Sequence, residues 1–187
     1  MKLKRFFYLL IIPAFLFVTT NSMAQNKYIG AKKCGMCHKS KKIGAQYKIW
    51  KKSGHANAFK TLQTKEADEI AKAKGYKTKA AETPECLKCH VTAYGVDKSL
   101  LGKKFKPQMG VQCESCHGPG SAYAKNSIMK DRNKSIAKGL KLYDDDKEKI
   151  KAMCVTCHNP ENPTHEKHGF DFDKYWNEIK HEIPGKK

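Results

Sequence analysis

The stretch Cys34-Gly-Met-Cys37-His38 decides how this chain folds, because its pattern, C-x-x-C-H, occurs four times. The other copies are Cys86-Leu-Lys-Cys89-His90, Cys113-Glu-Ser-Cys116-His117 and Cys154-Val-Thr-Cys157-His158. All eight cysteines fall within these copies, and a histidine follows each pair directly. The pattern is typical of covalent c-type haem attachment.

The spacing suits this chemistry on one turn of a helix. Residues three and four positions apart lie on the same face, so both sulfurs can reach one porphyrin edge while the histidine lies under the iron. The sequence therefore predicts four covalently attached haem c groups and a redox function. The cysteines that would attach them are Cys34, Cys37, Cys86, Cys89, Cys113, Cys116, Cys154 and Cys157, and the histidines that would bind iron are His38, His90, His117 and His158.

Disulfides and zinc are the competing interpretations of the same cysteines. Disulfides explain an even cysteine count but not four histidines in register. Zinc explains paired C-x-x-C elements but does not require a histidine directly after each pair. Haem attachment is the interpretation that uses every residue of the pattern.

The first 24 residues are typical of a secretory signal peptide. Three cations precede the 13-residue apolar run Phe6–Val18, and Ser22-Met23-Ala24 offers small residues for cleavage. The alternative, a permanent membrane anchor, would need roughly 20 apolar residues. We therefore expect cleavage after Ala24, a periplasmic location, no stable membrane insertion afterwards, and a single tetrahaem domain over residues 25–187.

Helix signals dominate the chain between the motifs. Thr64 can cap a helix that runs to Lys74, with acidic residues early and lysines late. Asp144 to Asp146 can cap a helix that runs into the fourth motif and stops at Asn159-Pro160, and residues 173–181 resemble an amphipathic helix. The sequence predicts a mostly α fold of short helices and long loops wrapped around four haems.

Strand signals and core residues are both sparse. Phe105 and Met109-Gly110-Val111 could form a short hairpin at most, so we expect little or no β structure. Many of the large aliphatic residues lie in the signal peptide, which leaves a polar remainder that cannot bury much side-chain surface alone. The haems would then serve as the core.

The net charge of +19 indicates the kind of partner that the protein would meet. A basic surface steers acidic proteins or membrane surfaces toward it, and an exported chain without a base-stacking motif is not predicted to bind nucleic acid. The alternative is a solvated basic surface that only aids solubility. We expect redox partner proteins with acidic docking surfaces.

The residue on the other side of each iron decides what that haem can do, because a second side chain favours electron carriage and an open position admits a small molecule. Four histidines lie outside the motifs, namely His55, His165, His168 and His181. His55, between small residues, and His181, at the end of the last helix, are the favoured candidates. His165 and His168 in a polar loop and Met129 are further ones.

Three stretches of the chain resemble a known family. They are Gly30-Ala-Lys-Lys-Cys-Gly-Met-Cys-His-Lys39, Ser53-Gly-His55-Ala-Asn-Ala and Val111-Gln-Cys-Glu-Ser-Cys-His-Gly-Pro-Gly120. Together they are similar to the periplasmic tetrahaem c-type cytochromes that accept electrons from hydroxylamine oxidoreductase. The resemblance runs from about Tyr28 to His181.

This resemblance implies haems in stacked, nearly parallel pairs and a set of ligand roles. His55 would cap the third haem, bound at His117, and His181 would cap the fourth, bound at His158. The second haem, at His90, would be five-coordinate. The first, at His38, would be capped by a histidine shortly after the third motif.

That last histidine is missing from this chain. The stretch 121–131 contains none, and Met129 falls close to the expected place, with Tyr123 as another substitute. His165 or His168 could cross over instead, or the first haem could be open.

Electron transfer is the function that these features favour, with single electrons relayed along a row of haems. One alternative is a small enzyme that reduces a nitrogen oxide or similar molecule at an open haem at His90 or His38. Another is a haem subunit of a respiratory complex.

Overall fold

The computed structural model describes residues 25–165 and 169–181 of the 187-residue chain. The predicted signal peptide, residues 1–24, and the candidate ligand His168 lie outside the described residues. In the described part, no helix has the length and apolar character needed to cross a membrane.

Short α-helices joined by turns and loops make up the described structure, and the predicted mostly α fold is confirmed. The sole β-type pairing in these two ranges is one isolated parallel bridge between Tyr28 and Leu101. The helices are α1 (Ala31–His38), α2 (Gln46–Lys52), α3 (Gly54–Thr61), α4 (Lys65–Ala73), α5 (Pro84–His90), α6 (Cys113–His117), α7 (Asn126–Met129), α8 (Arg132–Ala137), α9 (Lys147–Cys154) and α10 (Phe172–Ile179).

Side-chain caps begin several helices where the sequence predicts them. The Thr64 hydroxyl accepts a hydrogen bond from the Ala67 N–H at the start of α4. The Asp146 carboxylate does the same for the Lys149 N–H at the start of α9. Each cap satisfies an N–H group that has no partner inside its own helix.

The helix predicted to run through the fourth motif is shorter than expected. It ends at Cys154, and the rest of the motif continues as turns. The Asn159 side-chain amide donates hydrogen bonds to the Val155 and Thr156 carbonyls, which fixes these turns locally. The prediction was wrong because it placed the helix stop at Asn159-Pro160, whereas Asn159 already pairs with carbonyls of the preceding turn.

The expectation of little or no β structure is met around Phe105 and Val111, where the described residues form no hairpin. Pro107–Met109 is a 3-10 helix, and Gly110 follows it with a φ of 73°. A Cβ at Gly110 would lie 2.5 Å from the His55 carbonyl oxygen, which instead accepts a hydrogen bond from the Val111 N–H at 2.9 Å. Glycine therefore lets the segment before the third motif lie directly on α3.

The buried apolar core of the described residues is thin. Leu62, Ala71 and Ala80 form one cluster, against which Cys86 and Leu87 of α5 pack. Three of the nine buried apolar residues are alanines. Protein side chains alone therefore bury little apolar surface for a chain of this length, in agreement with the sparse aliphatic content of the sequence.

Glu114, inside the third motif, ties the N-terminal segment to α6. Its side chain is 2% exposed, and its carboxylate accepts hydrogen bonds from the backbone N–H groups of Ile29 (2.8 Å), Gly30 (2.7 Å) and Gly120 (2.7 Å). Burial raises the pKa of Glu114, and these three N–H groups oppose the rise because they stabilise the ionised form. One buried carboxylate thus satisfies three backbone donors from two separate segments.

We expect Glu114→Ala to destabilise the haem-loaded protein, because it leaves three N–H groups without their acceptor. At about 1–3 kcal/mol for each unsatisfied buried donor, the free energy of unfolding should fall by about 3 kcal/mol or more. A guanidinium titration followed by circular dichroism measures this change. Glu85→Ala, which removes an exposed glutamate beside the second motif, is the matched control and should change stability by less than about 0.5 kcal/mol. Equal losses in the two variants would contradict the anchoring role of Glu114.

We also expect the chain to lose most of its helical structure when haem is not attached. The buried apolar set is small, so folding depends on apolar groups that the amino acids do not supply. Expression without haem attachment, followed by far-ultraviolet circular dichroism, measures the helix content. A haem-free chain with the ellipticity of the loaded protein at 222 nm would show that the polypeptide folds alone.

Candidate haem sites

Three of the four motifs end a helix on their histidine. Helices α1, α5 and α6 finish at His38, His90 and His117. The two cysteines and the histidine of each motif therefore lie on about one helical turn, which is the arrangement that attachment to one porphyrin requires. None of the eight cysteines forms a disulfide with another.

The sulfurs of different motifs lie next to one another. A hydrogen bond between the Cys34 and Cys113 side chains raises the pKa of the first thiol and lowers that of the second. Burial, with the neighbouring Cys157, raises the pKa of Cys89 to about 11. These contacts join the first motif to the third and the second motif to the fourth.

A third contact joins the third motif to the fourth. The Cys116 sulfur lies 3.6 Å from the Met153 sulfur, in the helix that carries Cys154. Burial, with the nearby Cys154, raises the pKa of Cys116 to about 12. The four attachment sites therefore follow one another in space in the order first, third, fourth, second.

Two pairs of histidine rings face each other in the structure. The ring centres of His55 and His158 are 6.0 Å apart, and those of His117 and His181 are 5.8 Å apart. Two imidazoles on opposite sides of one metal ion, each with a metal–nitrogen bond of about 2 Å, have ring centres about 6 Å apart. Both pairs thus fit an iron between their rings.

The protonation state of these four rings also suits metal binding. Burial lowers the pKa of His55, His117, His158 and His181. Within each pair the neighbouring ring adds to the effect on His55 and on His117. A lower pKa favours the neutral imidazole, which is the form that coordinates a metal.

Carbonyl oxygens hold several of the rings by their Nδ1 atoms. Nδ1 lies 2.7 Å from the Ala58 carbonyl in His90, 2.9 Å from the Lys141 carbonyl in His117 and 3.2 Å from the Ile179 carbonyl in His181. In His38, Nδ1 lies 3.3 Å from the Gln46 side-chain oxygen. A carbonyl can only accept, so Nδ1 carries the proton and Nε2 is left to bind a metal. Gln46 belongs to no motif, so the sequence alone does not reveal this role.

Aromatic side chains in and just before the last helix stack against one of the ring pairs. Phe170 stacks on the His158 ring with centres 4.5 Å apart, and Tyr175 of α10 stacks on Phe170 with centres 6.0 Å apart. The same helix ends two residues before His181. Tyr175 of α10 therefore supports His158 through Phe170, and the residues after the helix place His181 beside His117. The role of Phe170 was also missed, since an aromatic residue in a loop carries no pattern of its own.

The ring pairs differ from those that the family resemblance implies. The resemblance assigns His55 to the haem at His117 and His181 to the haem at His158, whereas the structure places His55 opposite His158 and His181 opposite His117. The physical reason is the placement of α3 and α10: α3 delivers His55 beside the turns of the fourth motif, and α10 ends beside α6. Sequence order alone does not contain these packing contacts.

The candidates for the far side of the first haem remain a prediction. Met129 is half-buried and ends α7, which packs on α8. Tyr123 is buried, and its hydroxyl donates a hydrogen bond to the Gly118 carbonyl at 2.6 Å. Burial and the nearby Cys34 raise the pKa of Tyr123, which disfavours the phenolate that iron ligation needs. His165 is half-buried in the loop after the fourth motif.

Comparisons with known proteins agree with these features. The model of a family described as "Cytochrome c554 and c-prime" matches residues 33–118, which contain the first three motifs. Cytochrome c-554 of Nitrosomonas europaea is 31% identical over 169 residues, an alignment that covers 79% of this chain and 66% of that protein. No solved structure matches the chain significantly. The chain thus spans about two thirds of the length of this relative. Its likeness to the cytochrome c554 and c-prime family, together with its C-x-x-C-H motifs, identifies it as a c-type cytochrome and supports the family resemblance seen in the sequence.

Proposed function

We propose that this protein is a periplasmic tetrahaem electron carrier that relays single electrons along its row of attachment sites. The observation that carries the proposal is the spatial order of the four motifs, first, third, fourth, second, in which neighbouring sites are joined by direct contacts between side chains. A continuous row lets an electron that arrives at one end leave at the other.

The polypeptide supports carriage by holding each iron between fixed side chains. Haem iron, when bound, supplies reversible one-electron chemistry whose potential depends on the axial ligands. His158 with His55 and His117 with His181 would fill both axial positions of the fourth and third haems. Filled positions exclude substrate and keep the ligand geometry the same in both oxidation states, which favours fast electron exchange.

Covalent attachment and export belong to the same proposal. Eight thioether bonds, from the cysteines of the four motifs, would keep the haems in place in the periplasm, where the predicted signal peptide would deliver the chain. The high net positive charge supports redox partners with acidic docking surfaces, which it would attract over a distance of about a Debye length.

A second candidate function is reduction of a small nitrogen oxide or similar molecule at the second haem. Within residues 25–165 and 169–181, no histidine ring faces that of His90 or of His38 as His55 faces His158. The family resemblance also implies an open position at His90. An open iron is the feature on which this activity would depend.

Low-temperature electron paramagnetic resonance of the oxidised protein separates these candidates. We expect low-spin signals from the third and fourth haems, because each would have two imidazole ligands, and a reversible potentiometric titration that accounts for four electrons. Carbon monoxide titration of the reduced protein counts the open irons. Steady turnover of nitrite, hydroxylamine or peroxide at an open haem would favour the enzyme, whereas redox cycling without turnover supports the carrier.

A second test removes one haem at a time to determine which iron His181 binds. His181→Ala should create one new high-spin, carbon monoxide-binding haem. If His181 serves the third haem, the same substitution should have no effect in a protein that lacks that haem through Cys113→Ala and Cys116→Ala. A protein that lacks the fourth haem, through Cys154→Ala and Cys157→Ala, is the control and should still gain the new signal. The opposite result would restore the pairing that the family resemblance implies.

A further inference from the structure

The charges of this chain are divided unevenly along its length. Residues 25–65 contain eleven lysines and no aspartate or glutamate, so all 18 acidic residues come after residue 65. The lysines themselves occur throughout the chain, but this segment lies in its longest run without an acidic residue. The segment contains α1 with the first motif, the turn that follows it, and α2.

An exposed apolar residue of the first motif lies within this basic segment. Met36 is 64% exposed, the highest value among the exposed large apolar residues, and Cys37 beside it is exposed. Lys32 and Lys33 precede Met36 by four and three positions on α1, so they lie on the same side of that helix. The attachment edge of the first haem would therefore reach the surface among lysines.

Helix α2 adds three lysines on one face. Lys48, Lys51 and Lys52 are spaced i, i+3 and i+4, and all three are exposed. The helix is held on α1 by Tyr47, which packs so closely on Gly35 that an added Cβ would meet the tyrosine ring at 2.7 Å. Packing of α2 on α1 thus leaves its lysines facing outward.

Few acidic groups offset these lysines. In the portion of the chain that the structure describes, Lys65 is the one lysine of the eleven in an ion pair, with Glu69. Glu114, on the helix that packs against α1, is buried with three N–H groups and does not reach the surface. Lys33 shares a groove of about 190 Å³ with Lys103 and Lys104, which extends the basic surface.

We propose that this basic surface, formed by α1, the turn of residues 39–45 and α2 and here called the docking face, binds an acidic electron-transfer protein. One electron would pass between the redox centre of that partner and the haem bound at His38, so that one is oxidised as the other is reduced. The proposal rests on the proposed carrier function and adds where the partner binds and what charge it carries.

The composition of the docking face suits a brief complex rather than a permanent one. A small apolar centre surrounded by cations gives little buried area, as in weak electron-transfer complexes. Electrostatic complementarity raises the association rate constant more than it raises the affinity, so the complex forms fast and separates fast. A carrier that must exchange electrons repeatedly needs both properties.

The experiment compares two charge-reversal variants of the haem-loaded protein. The face variant carries Lys32→Glu, Lys39→Glu, Lys42→Glu and Lys48→Glu, and the control variant carries Lys77→Glu, Lys98→Glu, Lys125→Glu and Lys130→Glu; all eight lysines are exposed. Both variants change the net charge equally. Reduction of the oxidised haems by flavodoxin hydroquinone, an acidic one-electron donor, is followed by stopped-flow absorbance at low ionic strength.

We expect the face variant to be reduced about 10- to 100-fold more slowly than the unsubstituted protein, and the control variant to lose no more than about threefold. The rate of the unsubstituted protein should fall as salt is added, and that of the face variant should change little. Hexaammineruthenium(II), a small cation, should reduce the face variant faster than the unsubstituted protein. That opposite sign shows that charge, and not damage to the haem, causes the effect.

Equal losses in the two variants, or no loss in either, would overturn the docking face. A face variant that loses only its binding to phosphatidylglycerol vesicles would assign the surface to a membrane instead. Potentiometric titration of each variant keeps the tests separate: if the haems do not cycle reversibly, the carrier function itself is wrong. A second face variant, with glutamine at the same four positions, should show a smaller loss and covers the case in which four glutamates impair folding.

Discussion

In two pairs of histidines the ring centres lie about 6 Å apart, and the rest of this structure depends on that constraint. His55 on α3 faces the fourth motif, and His181 after α10 faces the third. Each pair joins segments that are distant in sequence, at a separation that admits a metal ion and no more. The helices between them are short because each has only to present one or two such groups, and the loops absorb the remaining distance.

Hydrogen bonds of buried polar groups hold segments of this protein together, as an apolar core does in other proteins. Gln112, which is 1% exposed, accepts from the Ala31 N–H at 2.8 Å and donates to the Lys106 carbonyl at 3.0 Å. Glu114 holds three further N–H groups two residues later. These two side chains flank Cys113 and bind the start of α1 to α6, which is why the first and third attachment sites lie together.

Local features of the structure could be predicted from the sequence, and long-range ones could not. The caps at Thr64 and Asp146 were predicted because a cap depends on residues within one helical turn. The motifs were equally visible, since their chemistry is fixed by adjacent positions. The residue that lies across from His55 could not be derived from the sequence, because it depends on how the loop before α6, which includes Gly110, rests on α3. Glu114 is visible in the sequence as part of a motif, but its three N–H partners come from segments that only the fold brings together.

The two ends of the row of attachment sites differ in the charges that surround them, and this difference bears on how the row would function. The first motif follows a stretch without acidic residues, whereas Glu66, Asp68, Glu69 and Glu82 come shortly before the second. Beside the second motif, Lys88 is paired with Glu161 at 2.7 Å, so part of its charge is already offset. An acidic partner would therefore be drawn more strongly to one end than to the other. A carrier whose two ends attract different partners can hold both at once, and its electrons then cross the protein instead of waiting for one partner to leave.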